Sequence, residues 1–335
     1  MNMKTFSFLM VFTAAACATN LLLPLYVWPE GGAWGNVYKA IEANSQLTFQ
    51  VIINPNSGPG SSTSGDSQEY SAAVSKLNSY PNVQIFGYVH CNYGTSSGDE
   101  VNHNVTQWNS WNSDPKISID GIFYDEIPNE EGSSESVNFL ASLVETAKST
   151  FGSHPFSSIF NPGATPMYIE LYDLADFIVV FESEASLYSE TVIANQIPAG
   201  KAGQSSILIY NFAGEGHEEQ LGPWLQGMIS AGVGSSNILN TGYSEANSDD
   251  KPAGLGSVAS ILASSAGQST AKPINGTGST TSKLAPEGSL SAHESMDDTA
   301  SMPAPETGTG NEPVYNPHSK HSDGDEDEHH QEDDD

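Results

Sequence analysis

The sequence contains no arginine, so its ten basic residues are all lysines. Acidic residues number 41, and the formal net charge at pH 7 is −31. Proteins that bind nucleic acid, phosphate groups or anionic polymers rely on arginine forks and basic patches. The composition therefore argues against those partners, whereas a neutral or cationic partner is easier to accommodate.

Cysteine is scarce, with only Cys17 and Cys91 in the chain. Cys17 follows Lys4 and an apolar run over residues 6–16, and its small neighbours are typical of a signal-peptide cleavage site. We therefore predict a signal peptide over residues 1–18 and a secreted protein, extracellular or associated with the cell wall. The run is too short to span a membrane comfortably. Removal of Cys17 leaves Cys91 without a partner, so stability must come from the core.

Long hydrophobic runs are absent from the rest of the chain, where short apolar segments alternate with helix-like ones. These segments are rich in valine, isoleucine and phenylalanine without clean alternation, which is typical of parallel strands buried on both faces. Eight such units predict an α/β fold, the (β/α)8 or TIM barrel, with a doubly wound open sheet as the alternative. The predicted strands cover residues 21–28, 47–54, 83–90, 119–124, 157–160, 177–181, 206–210 and 237–239.

The helical predictions differ in strength. The longest helix is predicted over residues 134–151, a weak one near residues 167–174 and a further one near residues 185–195. Beyond about residue 267 the pattern stops, and serine, threonine, glycine, proline and acidic residues dominate. We therefore predict one barrel domain over residues 19–267 and a disordered acidic tail over residues 268–335, because the tail has too few apolar residues to offset the entropy of ordering.

Two adjacent carboxylates, Asp125 and Glu126, end the fourth predicted strand. Barrel enzymes place their chemistry at the carboxyl ends of strands, and glycosidic bond hydrolysis needs two carboxyl groups. Adjacent side chains on a strand diverge, so the second reacting group is expected from another strand unless the backbone turns. Glu182, directly after the sixth apolar run, is the best candidate, and Glu184 is the alternative on the same side of the strand.

Aromatic and amide side chains at the other strand ends would suit a carbohydrate cleft, because aromatic faces stack on sugar rings and amides bond to hydroxyl groups. We expect no metal and no cofactor, since metal-binding motifs are missing, and we expect a monomer. The predicted substrate-binding residues are Tyr26, His90, Tyr93, Tyr124, Asn161 and Asn211.

Six segments, in order along residues 21–245, resemble the spherulin-4, or spherulation-specific, family of secreted proteins. They are PLYVW at 24–28, VIINPNSGPG at 51–60, GYVHCNYG at 87–94, GIFYDE at 121–126, FNPG at 160–163 and IVVFE at 178–182. The resemblance implies a (β/α)8 glycoside hydrolase. Its substrate would be an α-1,4-linked polymer of N-acetylgalactosamine and galactosamine in a cell wall or biofilm matrix, cleaved inside the chain.

The resemblance also implies roles for three acidic residues. Asp125 would be the nucleophile of a retaining reaction, Glu182 the acid/base, and Glu126 an orienting or substrate-binding group. An exchange of roles between Asp125 and Glu126 stays open. So do two other functions: a non-catalytic glycan-binding protein of a spore or cyst wall with the same fold, and a glycosidase that acts on another α-linked polymer.

Overall fold

The protein is described by a computed structural model over residues 18–60, 68–130, 134–214 and 216–266. The predicted signal peptide, apart from Ala18, lies outside the described residues, as does the predicted tail. Within these ranges, eight parallel strands pair in sequence order, and the last pairs with the first to close a barrel. The strands are β1 (Asn20–Leu25), β2 (Phe49–Ile53), β3 (Val83–His90), β4 (Gly121–Asp125), β5 (Ser157–Phe160), β6 (Phe177–Glu184), β7 (Ser205–Tyr210) and β8 (Ser235–Ile238).

A helix follows each strand in the described part of the chain, and the closed sheet confirms the predicted (β/α)8 barrel over the open alternative. The helices are α1 (Gly35–Ala43), α2 (Gln68–Asn78), α3 (Gly98–Trp111), α4 (Ser134–Phe151), α5 (Leu171–Leu174), α6 (Thr191–Gln196), α7 (Leu221–Ala231) and α8 (Leu255–Ala266).

Several predicted boundaries differ from the structure, and those of β1, β6 and α5 are three examples. Strand β1 ends at Leu25, so Tyr26 lies in the loop that follows it. Strand β6 continues to Glu184 because it keeps pairing with β7 as far as Tyr210. The weak helix predicted near residues 167–174 is reduced to the single turn of α5. The consequence for the site is that Glu182 belongs to a strand, which fixes its direction.

Two apolar layers stabilise the barrel. The outer layer lies between strands and helices, and α4 contributes to it with buried residues at helical spacing, from Leu140 through Val144 to Phe151. The inner layer fills the barrel itself with residues of alternate positions on the strands. Its buried members are Leu22, Ile52, Phe86, Tyr88, Phe123, Ile159, Val179 and Leu208.

A close contact between β3 and α3 positions the inner residue Tyr88. The Trp108 indole packs directly on Gly87, where a Cβ atom would clash with the ring. The indole N–H also donates a hydrogen bond to the Tyr88 backbone oxygen at 2.8 Å. Glycine at position 87 therefore lets α3 approach β3 and holds Tyr88 in the barrel interior.

Candidate active site

Four neighbouring strands bring polar side chains to one end of the barrel. His90 on β3 pairs with Asp125 on β4, so these residues lie side by side at the carboxyl ends of their strands. Asn161 follows β5 immediately, and its backbone N–H donates to the Tyr124 oxygen at 2.8 Å. The parallel register thus places His90, Asp125 and Asn161 in one row, with Glu182 of β6 next to it.

Asp125 points into the barrel, as does Phe123 two residues earlier on β4. Its Oδ2 accepts a hydrogen bond from the Tyr88 hydroxyl at 2.7 Å, and its Oδ1 accepts one from Asn161 Nδ2 at 2.7 Å. Burial raises the pKa of Asp125 to about 6, and the nearby Glu126 charge acts in the same direction, while the two hydrogen bonds oppose the rise. This carboxyl group therefore titrates close to neutrality.

A β-bulge sets the direction of Glu182. Val179 belongs to the inner layer, whereas Val180 and Phe181 both belong to the outer one, and the register with β7 shifts between Val179 and Phe181. The extra residue returns Glu182 to the barrel interior. There its carboxylate accepts hydrogen bonds from Asn161 Nδ2 and from the hydroxyl of Tyr243, which follows β8.

Asn161 is the link between the two inward carboxylates. Its Oδ1 accepts a hydrogen bond from the Gly163 backbone N–H at 3.1 Å, which turns the amide nitrogen towards Asp125 and Glu182. One nitrogen bonds to both groups, so their nearest oxygens are separated by less than two hydrogen-bond lengths, about 6 Å. We call Asp125, Asn161 and Glu182 the carboxylate pair and its bridge.

Glu126 reaches the same rim through a turn of its own backbone. It has a left-handed conformation, with φ of 49°, which non-glycine residues rarely adopt. Its Oε2 lies 2.5 Å from His90 Nε2. Adjacent residues of a regular strand diverge, so this turn is what lets Asp125 and Glu126 serve the same cleft. We call His90 and Glu126 the histidine pair.

Tyrosines surround the carboxylates at this end of the barrel. Tyr26 makes edge-to-face contacts with Tyr88 and Tyr243, with ring centroids 5.7 and 5.6 Å apart, respectively. Tyr93, in the loop after β3, is 57% exposed, and its backbone N–H donates to the Glu126 oxygen at 2.6 Å. Exposed aromatic rings beside polar groups are suited to stacking on sugar rings.

Two of the predicted binding residues are placed differently. Tyr124 points to the outer layer, where it is fully buried against Phe160, so its side chain faces away from the cleft and is not among the proposed binding residues. The reason is the alternation on β4, which turns Asp125 inward and its neighbour outward. Asn211 follows β7 and donates to Glu184 Oε1 at 3.2 Å, beside the carboxylate pair rather than in it.

Two tyrosines of the site were absent from the predicted set. Tyr88 lies two residues before His90 on the same side of β3, so strand alternation could have identified it. Tyr243 lies in a short 3-10 turn after β8, 61 residues from Glu182, and no local sequence pattern connects the two.

The described residues offer neither a metal-binding cluster nor a reactive thiol at this end of the barrel. No group of three or more His, Cys, Asp or Glu residues is arranged among them to hold a metal ion. Cys91 is buried, and burial raises the pKa of its thiol well above the usual range. A thiol that stays protonated is a poor nucleophile. In the described part of the chain, no helix combines the length and apolarity needed to cross a membrane.

Known proteins resemble this chain in sequence and in structure. Spherulin-4 of Physarum polycephalum is 33% identical over 214 residues, which cover 64% of this chain and 59% of that protein. The chain thus matches about three fifths of the length of spherulin-4. The crystal structure of Aspergillus clavatus Sph3 in complex with GalNAc is similar with a TM-score of 0.64 and 24% identity, over 74% of this chain and 99% of that one. This second likeness supports the fold.

The sequence match to a family covers almost the whole barrel. The profile described as Spherulation-specific family 4 matches residues 20–248, from the start of β1 to the loop after β8. All six segments that resemble the spherulin-4 family lie inside this match, as do the carboxylate pair, its bridge and the histidine pair. The chain therefore belongs to Spherulation-specific family 4, the spherulin-4 family.

Proposed function

We propose that this protein is a glycoside hydrolase that uses Asp125 and Glu182 as its two reacting carboxyl groups. One observation carries the proposal: the two carboxylates come from different strands and share a single amide donor, Asn161, at the carboxyl end of the barrel. Glycosidic bond hydrolysis requires two carboxyl groups facing one bond. Membership of the spherulin-4 family supports the same function.

In the proposed reaction, Asp125 attacks the anomeric carbon while Glu182 gives its proton to the departing glycosidic oxygen. The bond between sugar and leaving group breaks as the bond to Asp125 forms. Glu182, now a carboxylate, then takes a proton from water, which attacks the same carbon and releases Asp125. Glu126, held by His90, would orient a sugar hydroxyl or amide group beside them.

The separation of the carboxylates supports retention of configuration. Retaining enzymes hold their two carboxyl groups about 5–5.5 Å apart, whereas inverting enzymes need about 6.5–9.5 Å to admit a water molecule. An amide nitrogen that bonds to both Asp125 and Glu182 limits their nearest oxygens to less than about 6 Å. This spacing favours the retaining mechanism.

We propose an α-1,4-linked polymer of N-acetylgalactosamine and galactosamine as substrate, cleaved within the chain by a secreted enzyme. The family resemblance is the main support, together with the GalNAc complex of the similar Aspergillus clavatus protein. Tyr26 and Tyr93 offer aromatic surfaces for sugar rings. The lack of arginine is compatible with a neutral or cationic polymer.

Product analysis on a defined polymer tests this function. The purified protein is incubated with the aminosugar polymer, and the released oligosaccharides are identified by mass spectrometry. NMR recorded early in the reaction gives the anomeric configuration of the product as it is first formed. We expect short oligosaccharides with the α configuration, and none from Asp125→Asn or Glu182→Gln. Binding without release from any aminosugar polymer would favour a glycan-binding wall protein, and release from another α-linked polymer alone would change the substrate.

A further inference from the structure

Each reacting carboxylate is bonded to a tyrosine from a different side of the barrel. The Tyr88 hydroxyl on β3 donates to Asp125 Oδ2 at 2.7 Å. The Tyr243 hydroxyl, after β8, donates to Glu182 Oε1. Asn161 donates to the remaining oxygen of each carboxylate. The amide therefore bonds to both carboxylates, whereas each phenol bonds to one of them.

A phenol and an amide respond differently when a carboxylate gains a proton. The Asn161 NH₂ group can only donate, so it favours the ionised form of both carboxylates. A tyrosine hydroxyl can donate to a carboxylate and can rotate to accept from a carboxylic acid. Tyr88 and Tyr243 can therefore keep a hydrogen bond to the carboxyl group both before and after it gains a proton. The Asn161 NH₂ group cannot accept a hydrogen bond from a carboxyl oxygen that carries a proton.

The phenols themselves remain protonated. Burial, reinforced by the neighbouring carboxylates, raises the pKa of Tyr88 and of Tyr243 well above the ordinary value. Both hydroxyls thus keep their hydrogen over the whole pH range in which a carboxyl group titrates. Any pH dependence of the network must arise from the carboxyl groups and not from the phenols.

We propose that Tyr88 and Tyr243 are positioning residues that control the protonation of Asp125 and Glu182 separately, one tyrosine for each carboxyl group. This inference rests on the proposed function for its catalytic consequence. When the glycosyl-enzyme forms, negative charge leaves Asp125 as its oxygen binds the anomeric carbon, and negative charge develops on Glu182 as its proton leaves. Tyr243 assists that step by donating to the new carboxylate, and Tyr88 assists the second step, in which Asp125 is released.

Other titratable groups face this network from the neighbouring elements, and they define the background against which the two tyrosines act. Tyr26 contacts both phenols, and Tyr210 contacts Tyr243. Among the described residues, the other titratable groups near the network are Tyr26, His90, Cys91, Glu126, Glu184 and Tyr210. None of these groups is altered by changing Tyr88 or Tyr243 to phenylalanine, so each variant isolates one hydroxyl.

The test compares pH profiles of kcat/KM for Tyr88→Phe and Tyr243→Phe. In the unaltered protein, activity should rise with pH as Asp125 ionises, at about 6, and fall as Glu182 loses its proton. A hydrogen bond to a carboxylate lowers its pKa, so Tyr88→Phe should move the acidic limb upward and Tyr243→Phe the basic limb upward. Each shift should be about one pH unit, the difference between a hydrogen bond to a carboxylate and one to a neutral carboxylic acid.

Tyr188→Phe is the matched control. Tyr188 is buried and packs against Phe181, the neighbour of Glu182, but its hydroxyl finds no hydrogen-bond partner among the described residues. This variant should move neither limb. Site-specific 3-fluorotyrosine at position 88 or 243 keeps the shape of the side chain and is a stronger donor, so it should shift the same limb downward even if a phenylalanine variant does not fold.

A direct titration separates this inference from the proposed function. Carbon-13 NMR of the free protein can follow the Asp125 and Glu182 carboxyl groups without any substrate. If Tyr88→Phe moves only Asp125 and Tyr243→Phe only Glu182, the inference stands even for a protein that hydrolyses nothing. If neither variant moves its own carboxyl group, or if both move the two groups equally, the inference is overturned while hydrolysis by the unaltered protein is unaffected.

Discussion

Asp125 and Glu126 are adjacent carboxylates at one strand end, yet their surroundings differ completely. Asp125 lies inside the barrel mouth, where neutral donors, Tyr88 and Asn161, hold it and burial raises its pKa. Glu126 lies on the rim against His90, and its side chain is 26% exposed. The difference shows that two adjacent carboxylates can have separate environments, and it is the basis on which we propose chemistry for the carboxylate pair and orientation for the histidine pair.

The strongest test of this division removes one reacting group at a time. Asp125→Asn should lower kcat by at least about 10⁴-fold, as for loss of a nucleophile. Glu182→Gln should lower it by about 10²–10⁴-fold, the usual contribution of a general acid. Initial rates of oligosaccharide release measure both effects. Glu184→Gln changes the same chemical group two residues along β6, and a loss as large as that of Glu182→Gln would move the acid/base role to Glu184.

The bridge should have the next largest effect. Asn161→Ala removes a donor from both carboxylates at once, and we expect kcat to fall by about 10²-fold, as for loss of a well-placed amide donor. Asn211→Ala provides the comparison, since Asn211 makes a similar bond to Glu184 outside the pair. Steady-state kinetics of the two variants should differ by tenfold or so. Equal losses of kcat in the two variants would contradict a particular role for the hydrogen bonds that Asn161 donates to both carboxylates.

The histidine pair should be less sensitive. Glu126→Gln keeps a side chain that can bond to His90 but removes the charge, and we expect kcat/KM to fall about tenfold, in proportion to one hydrogen bond to a charged group. The measurement is kcat/KM on the same oligosaccharide as for Asp125→Asn. If Glu126→Gln abolishes turnover while Asp125→Asn retains it, the roles of the two neighbours are exchanged.

A separate effect of the same carboxyl group concerns stability and not activity. The raised pKa of Asp125 means that the folded state binds a proton more tightly than the unfolded state, so this group's contribution to stability is greatest below pH 4 and is lost as pH rises through about 6. Asp125→Asn removes that loss and should increase the free energy of unfolding at pH 7 by about 3 kcal/mol. Thermal unfolding at pH 4 and pH 7 tests this, and an equal change at both pH values would contradict it.

Much of the barrel could be predicted from the sequence, because strands buried on both faces leave continuous apolar runs. Strand β5 and helix α4 have the predicted bounds. The direction of Tyr124 could also have been deduced, since strand alternation opposes it to Asp125. The bulge of β6 could not be predicted, because Val179, Val180 and Phe181 are all apolar. Apolar residues suit both faces of a buried strand, so they do not indicate where the alternation is interrupted.

The remaining contacts of the site depend on distant parts of the chain. Tyr243 reaches Glu182 only because the barrel closes and brings the loop after β8 near β6. The left-handed backbone of Glu126 is a second example, since glutamate has no local preference for that conformation. Closure and tertiary contacts override local preference in both cases.

The bulge in β6 makes the direction of the proposed acid/base residue depend on how this strand pairs with β7. Val180 is the residue without a partner in that register, and it lies between Val179, opposite Ser206, and Phe181, opposite Ile207. If β6 kept all its residues but paired without the bulge, Phe181 would face the barrel interior and Glu182 would turn towards the helices. Such a chain would keep every acidic residue of the proposed site but lose the contact between Glu182 and Asn161, so an intact set of carboxylates is by itself an insufficient criterion for this site.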